Sequence, residues 1–227
     1  MPNKSVPLDA NNIYHIYNRG INSCNIFSQP DDYKRFLFLY EKYIYPIVFT
    51  LAWVLMPNHI HLLILPKNNQ AYKYSKSDIE KFTKENDILG LRKWETIDCE
   101  PEIEVKNKKT PNPSNHFAHL FSSYSKYFNL KHNRHGSLFE HPYKRKPIYN
   151  TVYLKRVLMY IHNNPVHHGF CNHAIEYPWS SYLSCISEKE TKLLRNRTIE
   201  MFGTKDNFIS EHNQNPSDKS IEDWLQI

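Results

Sequence analysis

The sequence predicts an α+β fold: a ferredoxin-like antiparallel sheet with helices on one face, plus an insertion and a C-terminal helical extension. Three observations carry this. The elements run strand, helix, strand, strand, helix, strand, with a further helix behind, which is the order of a split βαβ sheet. An apolar hairpin from Ile47 to Leu65 lies between two helical stretches. Residues 67–115 then interrupt the pattern with a polar, Lys/Glu-rich run.

Taken in order, Ile13 to Asn18 reads as a short strand closed by a turn at Arg19-Gly20. Asp31 or Asp32 can cap a helix that runs through Tyr33, Phe36, Leu37, Leu39 and Tyr40 to about Tyr43, with Pro46 beyond its end. Ile47 to Leu55 is rich in β-branched and aromatic residues, so it reads as a strand. Pro57-Asn58 makes a tight turn, because proline presets φ and asparagine tolerates turn geometry. His59 to Leu65 returns as the paired strand, apolar on both faces and therefore central.

Within 67–115 there is a weak helical pattern at Ser77 to Asn86 and a Pro111-Asn112-Pro113 end, which reads as an insertion rather than a second domain. Phe117, Leu120, Phe121, Tyr124 and Phe128 mark a helix from Asn115 to about His132. A turn at Arg134-His135-Gly136 precedes an edge strand near Lys144 to Tyr149. The next helix, Thr151 to about Asn164, buries Leu154, Val157, Leu158 and Ile161 at i, i+3, i+4, i+7. Pro165 is expected to stop it. Two weak helices follow Trp179-Ser180-Ser181-Tyr182, and the division expected is a domain at 1–186 and an acidic extension at 187–227.

A chain of 227 residues with 40% apolar and 14% aromatic content can bury a core. Five glycines against 14 prolines, with neither G-x-G-x-x-G nor G-x-x-x-x-G-K-[ST], argue against a nucleotide cradle. Met1 to Ser5 has no apolar signal-peptide core, and the run Ile47 to Met56 is too short for a bilayer. A soluble cytoplasmic protein with no membrane partner is expected. Cys24, Cys99, Cys171 and Cys185 form no C-x-x-C pair, which disfavours a zinc ribbon or a disulfide framework.

From Ser187 onward 6 Lys/Arg face 8 Asp/Glu, which leaves +8 on residues 1–186 of a chain whose total is +6. The densest basic stretch holds Lys126, Lys131, Arg134, Lys144, Arg145 and Lys146 against Glu140 alone, interleaved with Tyr127, Phe128, Phe139 and Tyr143. Cations neutralise phosphates and aromatic faces stack on unpaired bases, a combination suited to single-stranded nucleic acid. A solvated loop over core aromatics has the same composition.

In a strand, His59 and His61 point one way and Ile60 the other. Two imidazoles on a rigid face can ligate a metal ion; a polar strand edge reads the same. Tyr160 lies on the flank of the buried helical stripe, with Asn164 four residues on along the same flank. Together they can reach a metal held by the histidines. A boundary tyrosine and a capping asparagine would show the same spacing.

Several segments together resemble the single-tyrosine HUH transposases, specifically the REP-associated tyrosine transposases. They are Tyr14-His15-Ile16-Tyr17-Asn18-Arg19-Gly20, Trp53-Val54-Leu55-Met56-Pro57-Asn58 with His59-Ile60-His61, and His135-Gly136-Ser137-Leu138-Phe139-Glu140. Tyr160-Ile161-His162-Asn163-Asn164-Pro165-Val166 and Tyr177-Pro178-Trp179-Ser180-Ser181-Tyr182 complete the set, in family order across about residues 13 to 183.

The resemblance implies His59 and His61 as metal ligands, Tyr160 as nucleophile and Asn164 as third ligand, in a place often held by Gln or Asn. It implies nicking and strand transfer on single-stranded or hairpin DNA through a 5′-phosphotyrosine, with Mg²⁺ or Mn²⁺ as the ion. Arg19, Lys126, Lys131, Arg134, Lys144 and Arg145 are the candidate nucleic-acid contacts. Monomer and homodimer both stay open.

Tyr124 competes with Tyr160, but its Asn129 is five residues on, a poorer same-face spacing than four. The long 67–115 run and the acidic tail depart from the family pattern. A hairpin-DNA-binding protein of the same fold that no longer cuts is the alternative. Histidine-triad hydrolases would want a histidine where Leu63 stands, and no second His-x-Thr/Ser motif is in place. His116 with His119, and His167 with His168, lack partner cysteines and read as surface polar pairs.

Overall fold

A computed structural model of the chain describes residues 6–74, 95–99, 108–214, 221, 223 and 224. Its strands are β1 (Ile13–Arg19), β2 (Val48–Met56), β3 (His59–Pro66), β4 (Gln70–Tyr72), β5 (Thr96–Asp98) and β6 (Lys144–Ile148). Its helices are α1 (Pro30–Tyr43), α2 (Pro113–Lys131), α3 (Thr151–His167), α4 (Tyr182–Ile186), α5 (Arg195–Glu200) and α6 (Lys205–Gln214). The main sheet is antiparallel, in the order β2-β3-β1-β6. Hairpin-linked β2 and β3, with α1 and α2 as the two crossovers, produce that order, as a ferredoxin-like chain requires.

Helices cover both faces of this sheet, not the single face expected. On one, α1 and α2 pack Phe36, Phe117, Leu120 and Tyr124 against Tyr14, Ile16, Ile60 and Leu62. On the other, α3 and the C-terminal helices pack Val157, Leu158, Ile161 and Phe208 against Val54, Met56 and Leu63. Strand alternation gives the cause: β2 and β3 carry apolar residues at successive positions, so each face needs a cover. Leu193, Phe202 and Phe208 belong to that second core, so the extension after 187 is part of the layer over the sheet.

Local differences have physical causes as well. Gln29, not Asp31 or Asp32, is the N-cap of α1; Asp32 sits at N3 and accepts from the Ser28 and Gln29 backbone N–H groups at 2.9 and 3.0 Å. Pro165 does not stop α3, which runs on to His167. So close to a C-terminus a proline removes one backbone donor from a turn that is ending anyway. Asn164 is therefore a buried helical residue rather than a freely projecting terminal one.

In the insertion, β4 and β5 form a small antiparallel sheet that the polar composition did not suggest. Ser77 to Asn86 lies outside the described residues. His116 is buried, not on the surface: its ring bonds the Tyr43 carbonyl oxygen at 2.5 Å and the Tyr72 hydroxyl at 2.7 Å. The outer edge of β2 is covered by backbone bonds from Leu55 N to Trp179 O and from Ser181 N to Trp53 O, both 2.9 Å. Among the described residues no helix is long and apolar enough to cross a membrane.

Candidate active site

Register assembles the site. In β1–β3 pairing His59 stands opposite Arg19 and His61 opposite Tyr17; from β2, Met56 and Val54 flank the two histidines. Directly opposed residues share a face, so His59, His61, Tyr17, Arg19 and, two positions back, His15 all look toward α3. The turn beside them is tight: a Cβ on Gly20 would stand 2.1 Å from the Cys24 carbonyl oxygen, so only glycine fits there.

From α3, Tyr160 presents its ring nearly perpendicular to His61, with centroids 5.4 Å apart. The Asn164 Oδ1 lies 2.8 Å from His59 Nε2, and the Asn58 Oδ1 lies 2.7 Å from His59 Nδ1. His59 and His61 rings are 5.1 Å apart, as are His59 and His168. A cleft of about 430 Å³ opens over the group, lined among others by Arg19, Asn25, His168 and the exposed Phe170. The structure thus places His59, His61, Tyr160 and Asn164 beside one another across about 100 residues of chain.

The candidate phosphate contacts are dispersed. Arg19 is exposed at the cleft, and Lys144 is exposed opposite Tyr17 on the same face of the sheet. Lys126 is exposed on α2, in the layer over the far face. Lys131 is held by Asp32 at 3.0 Å. Arg134 folds back to Asn129, the Ser137 carbonyl and Cys24. Arg145 bonds Ser114 and stacks over Tyr143. Tyr124 is fully buried in the far layer, where its hydroxyl donates to the Ile26 carbonyl at 2.5 Å.

His15, Tyr17, Asn58, His168 and Phe170 belong to the site and were missed. The period of two along β1 does place Ile13, His15, Tyr17 and Arg19 on one face. Nothing in the sequence says which strand that face meets.

Burial sets the protonation of the site. It lowers His59 to about 4, against a smaller upward effect of Asn164, with His168 and Arg19 adding to the lowering. Burial, then the neighbouring His15, His59 and His168, hold His61 well below the usual histidine range. Both rings are therefore neutral at pH 7.

A neutral imidazole has one N–H for the two amide oxygens that flank His59. With Nδ1–H given to Asn58, the Nε2 lone pair faces the lone pairs of Asn164 Oδ1. Turning the Asn164 amide removes that clash by offering Nδ2–H; a cation beside Nε2 removes it with the oxygen kept in place. Among the described residues, the buried His61 Nε2 and Asn164 Nδ2 atoms have no hydrogen-bond partner.

The helix carrying Tyr160 is fixed from behind by a directional chain. His212 Nδ1–H donates to the Phe208 carbonyl at 2.7 Å, so His212 Nε2 accepts from His162 Nδ1–H at 3.0 Å. His162 Nε2 then accepts from the Ser181 hydroxyl at 2.8 Å, and that oxygen accepts from Trp53 N–H at 2.8 Å. The chain ties α6, α3, the 177–182 segment and β2 together.

No family model matches the chain, and no curated protein does. A solved structure does: that of a REP-associated tyrosine transposase bound to a REP hairpin, with a TM-score of 0.51 over 83% of this chain and 87% of that one, at 13% identity. The chain has the fold of a tyrosine transposase. At that identity the likeness is one of architecture, and what the transposase fold contributes here is a frame that sets α3 across the histidine-bearing strand. Among the described residues no group of three or more His, Cys, Asp or Glu side chains can hold a metal ion. The groups here that could hold an ion are the imidazoles of His59 and His61 and the amide oxygen of Asn164.

Proposed function

We propose that the chain nicks single-stranded DNA beside a hairpin and transfers the strand through a 5′-phosphotyrosine on Tyr160. The observation that carries this reading is the meeting of Tyr160 with His61 in one cleft and of the buried Asn164 with His59, which lines that cleft. The transposase fold, seen in a chain bound to a REP hairpin, supports DNA as the partner.

The donor atoms fit a small divalent cation. Two neighbouring ligands of an octahedral ion at about 2.1 Å lie roughly 3 Å apart, and His59 Nε2 and Asn164 Oδ1 are 2.8 Å apart. The partnerless Nε2 of His61 supplies a third donor. Mg²⁺ or Mn²⁺ suits a site completed by phosphate oxygens. When bound, such an ion supplies Lewis-acid polarisation of the scissile phosphate.

The protein's own groups do the rest. Arg19 at the cleft, with Lys144 opposite Tyr17 on the same face of the sheet, attracts and aligns the phosphodiester. The Tyr160 oxygen gives up its proton as it bonds to phosphorus, the bond from phosphorus to the 3′-oxygen breaks, and that oxygen takes up a proton and leaves as a 3′-hydroxyl. A later 3′-hydroxyl displaces the tyrosine and reseals the strand, so no nucleotide is consumed.

A second reading, hairpin binding without cutting, is favoured by one observation: Tyr160 is only 3% exposed. Labelled hairpin DNA with a single-stranded flank, incubated with Mn²⁺ and then denatured, separates the two. A protein–DNA adduct resistant to denaturation is the expected result. Tight binding with no adduct over a broad set of flanks would leave the second reading standing.

A further inference from the structure

His59 and His61 serve one cation only if both present an Nε2 lone pair, and neutral imidazoles exist in two tautomers. For His59 the Asn58 oxygen provides an acceptor at Nδ1. For His61 the neighbour at Nδ1 is another histidine: His15 Nε2, 3.0 Å away and wholly buried on β1.

The pair has two internal arrangements. If His15 Nε2–H donates, His61 carries its proton on Nε2 and cannot ligate. If His61 Nδ1–H donates, its Nε2 offers a lone pair. Each arrangement strands one N–H and one lone pair, because among the described residues His15 Nδ1 and His61 Nε2 have no other partner. The two are therefore close in energy, and a group that takes up the His61 Nε2 lone pair decides between them.

We propose that His15 is the positioning residue of the metal centre: it accepts the His61 Nδ1–H and so holds the Nε2 lone pair toward the cleft. This rests on the metal-dependent reading above. The geometry suits His15 to accept: its Nε2 faces His61 Nδ1 at 3.0 Å, and its wholly buried ring is held by Tyr17, stacked on it at 5.1 Å, with Leu63 opposite on β3. Metal-bound histidines generally give their second N–H to an outer-shell acceptor, most often a carboxylate, a backbone carbonyl or water, and loss of that acceptor typically costs 10–100-fold in metal affinity; here a second imidazole would take that place.

The test combines ¹⁵N NMR of the imidazoles with Mn²⁺ titration by EPR on the full chain. Expected for the unsubstituted protein with Mg²⁺ is His61 protonated at Nδ1 and bare at Nε2. His15→Phe should weaken Mn²⁺ binding roughly 10–100-fold. His15→Gln, whose amide oxygen can accept the same proton, should restore most of the affinity.

A His61 protonated at Nε2 under saturating Mg²⁺ overturns the proposal, whether or not the Phe variant folds. So does a folded His15→Phe protein that binds Mn²⁺ as tightly as the parent. His59→Ala with His61→Ala is the separate arm: unchanged Mn²⁺ affinity there would remove the metal centre itself, and the role of His15 with it.

Discussion

The two faces of the β2-β3-β1-β6 sheet are built from the same strands and do opposite things. The face under α1 and α2 is a stack of aromatic and aliphatic side chains, with Phe27, Phe36, Phe117 and Tyr124 fully or almost fully buried. Its chief buried charge, Asp32, is ringed by donors. Burial raises its pKa, but bonds from Ser28 N–H, His132, Lys131 and Gln29 N–H outweigh that and hold it below the usual carboxylate range. The face under α3 also has an apolar core, yet it buries His15, His61, His162, Asn164 and His212, some with atoms left without partners. Buried polar atoms without partners cost stability and survive where they serve chemistry. The contrast teaches that one layer holds the molecule together and the other holds a site.

The sharpest way to break that contrast uses two tyrosines. Tyr160→Phe should reduce covalent adduct by roughly three orders of magnitude or more, as loss of a nucleophile does, with hairpin binding nearly intact. Tyr124→Phe should keep the adduct within about twofold and cost about 1 kcal/mol in urea unfolding, for the lost bond to Ile26. Adduct formation that follows Tyr124 instead of Tyr160 would reverse the roles of the faces.

Next in size is a packing test. Phe36→Ala, in the fully buried layer under α1, should lower unfolding free energy by about 3–5 kcal/mol. Val152→Ala, exposed at the start of α3, should change it by less than about 0.5 kcal/mol.

Acid should act on the histidine face first. Burial lowers His212 to about 4 and holds His162 well below its ordinary value, so both are neutral when folded and take protons when the chain opens. Their contribution is complete above pH 6.5 and is lost as pH falls from 6.5 toward 4. His212 alone would account for roughly 3 kcal/mol. Asp32 on the other face contributes in the same sense only below pH 3.8. Stability measured by urea across this range should decline in that order, and His212→Gln should flatten the upper part. A flat profile between pH 6.5 and 4 would mean these rings are not neutral and buried.

The smallest effect is the most pointed. His15→Leu with His61→Leu removes a buried pair that, among the described residues, leaves two ring nitrogens without partners. Unfolding free energy should stay level or rise by about 1 kcal/mol, while Mn²⁺-dependent cleavage disappears. A large loss of stability would make the pair structural.

Much of the frame was legible because it depends on neighbours in sequence. The hairpin at Pro57-Asn58, the central place of β3 and the stripe of α3 follow from local periodicity and turn chemistry. The choice of Tyr160 over Tyr124 used a spacing argument, and the two residues fall on opposite sides of the sheet. Pro165 misled because the pre-proline rule weighs a local preference, whereas the packing of Asn163 and Asn164 holds the helix for one more turn. His116 misled because a polar residue facing α1 can be buried once Tyr43 and Tyr72 bond its ring.

By itself the sequence determined the α+β order of elements and the common face of His59 and His61, because both are set within one stretch of chain. It also put Tyr160 and Asn164 one helical turn apart. Only the tertiary structure decided that both faces of the sheet are covered and that His15 stands behind His61. It likewise decided that the basic residues scatter rather than gather at the cleft. Cross-strand register and layer stacking join residues far apart in sequence, and no local preference encodes those distances.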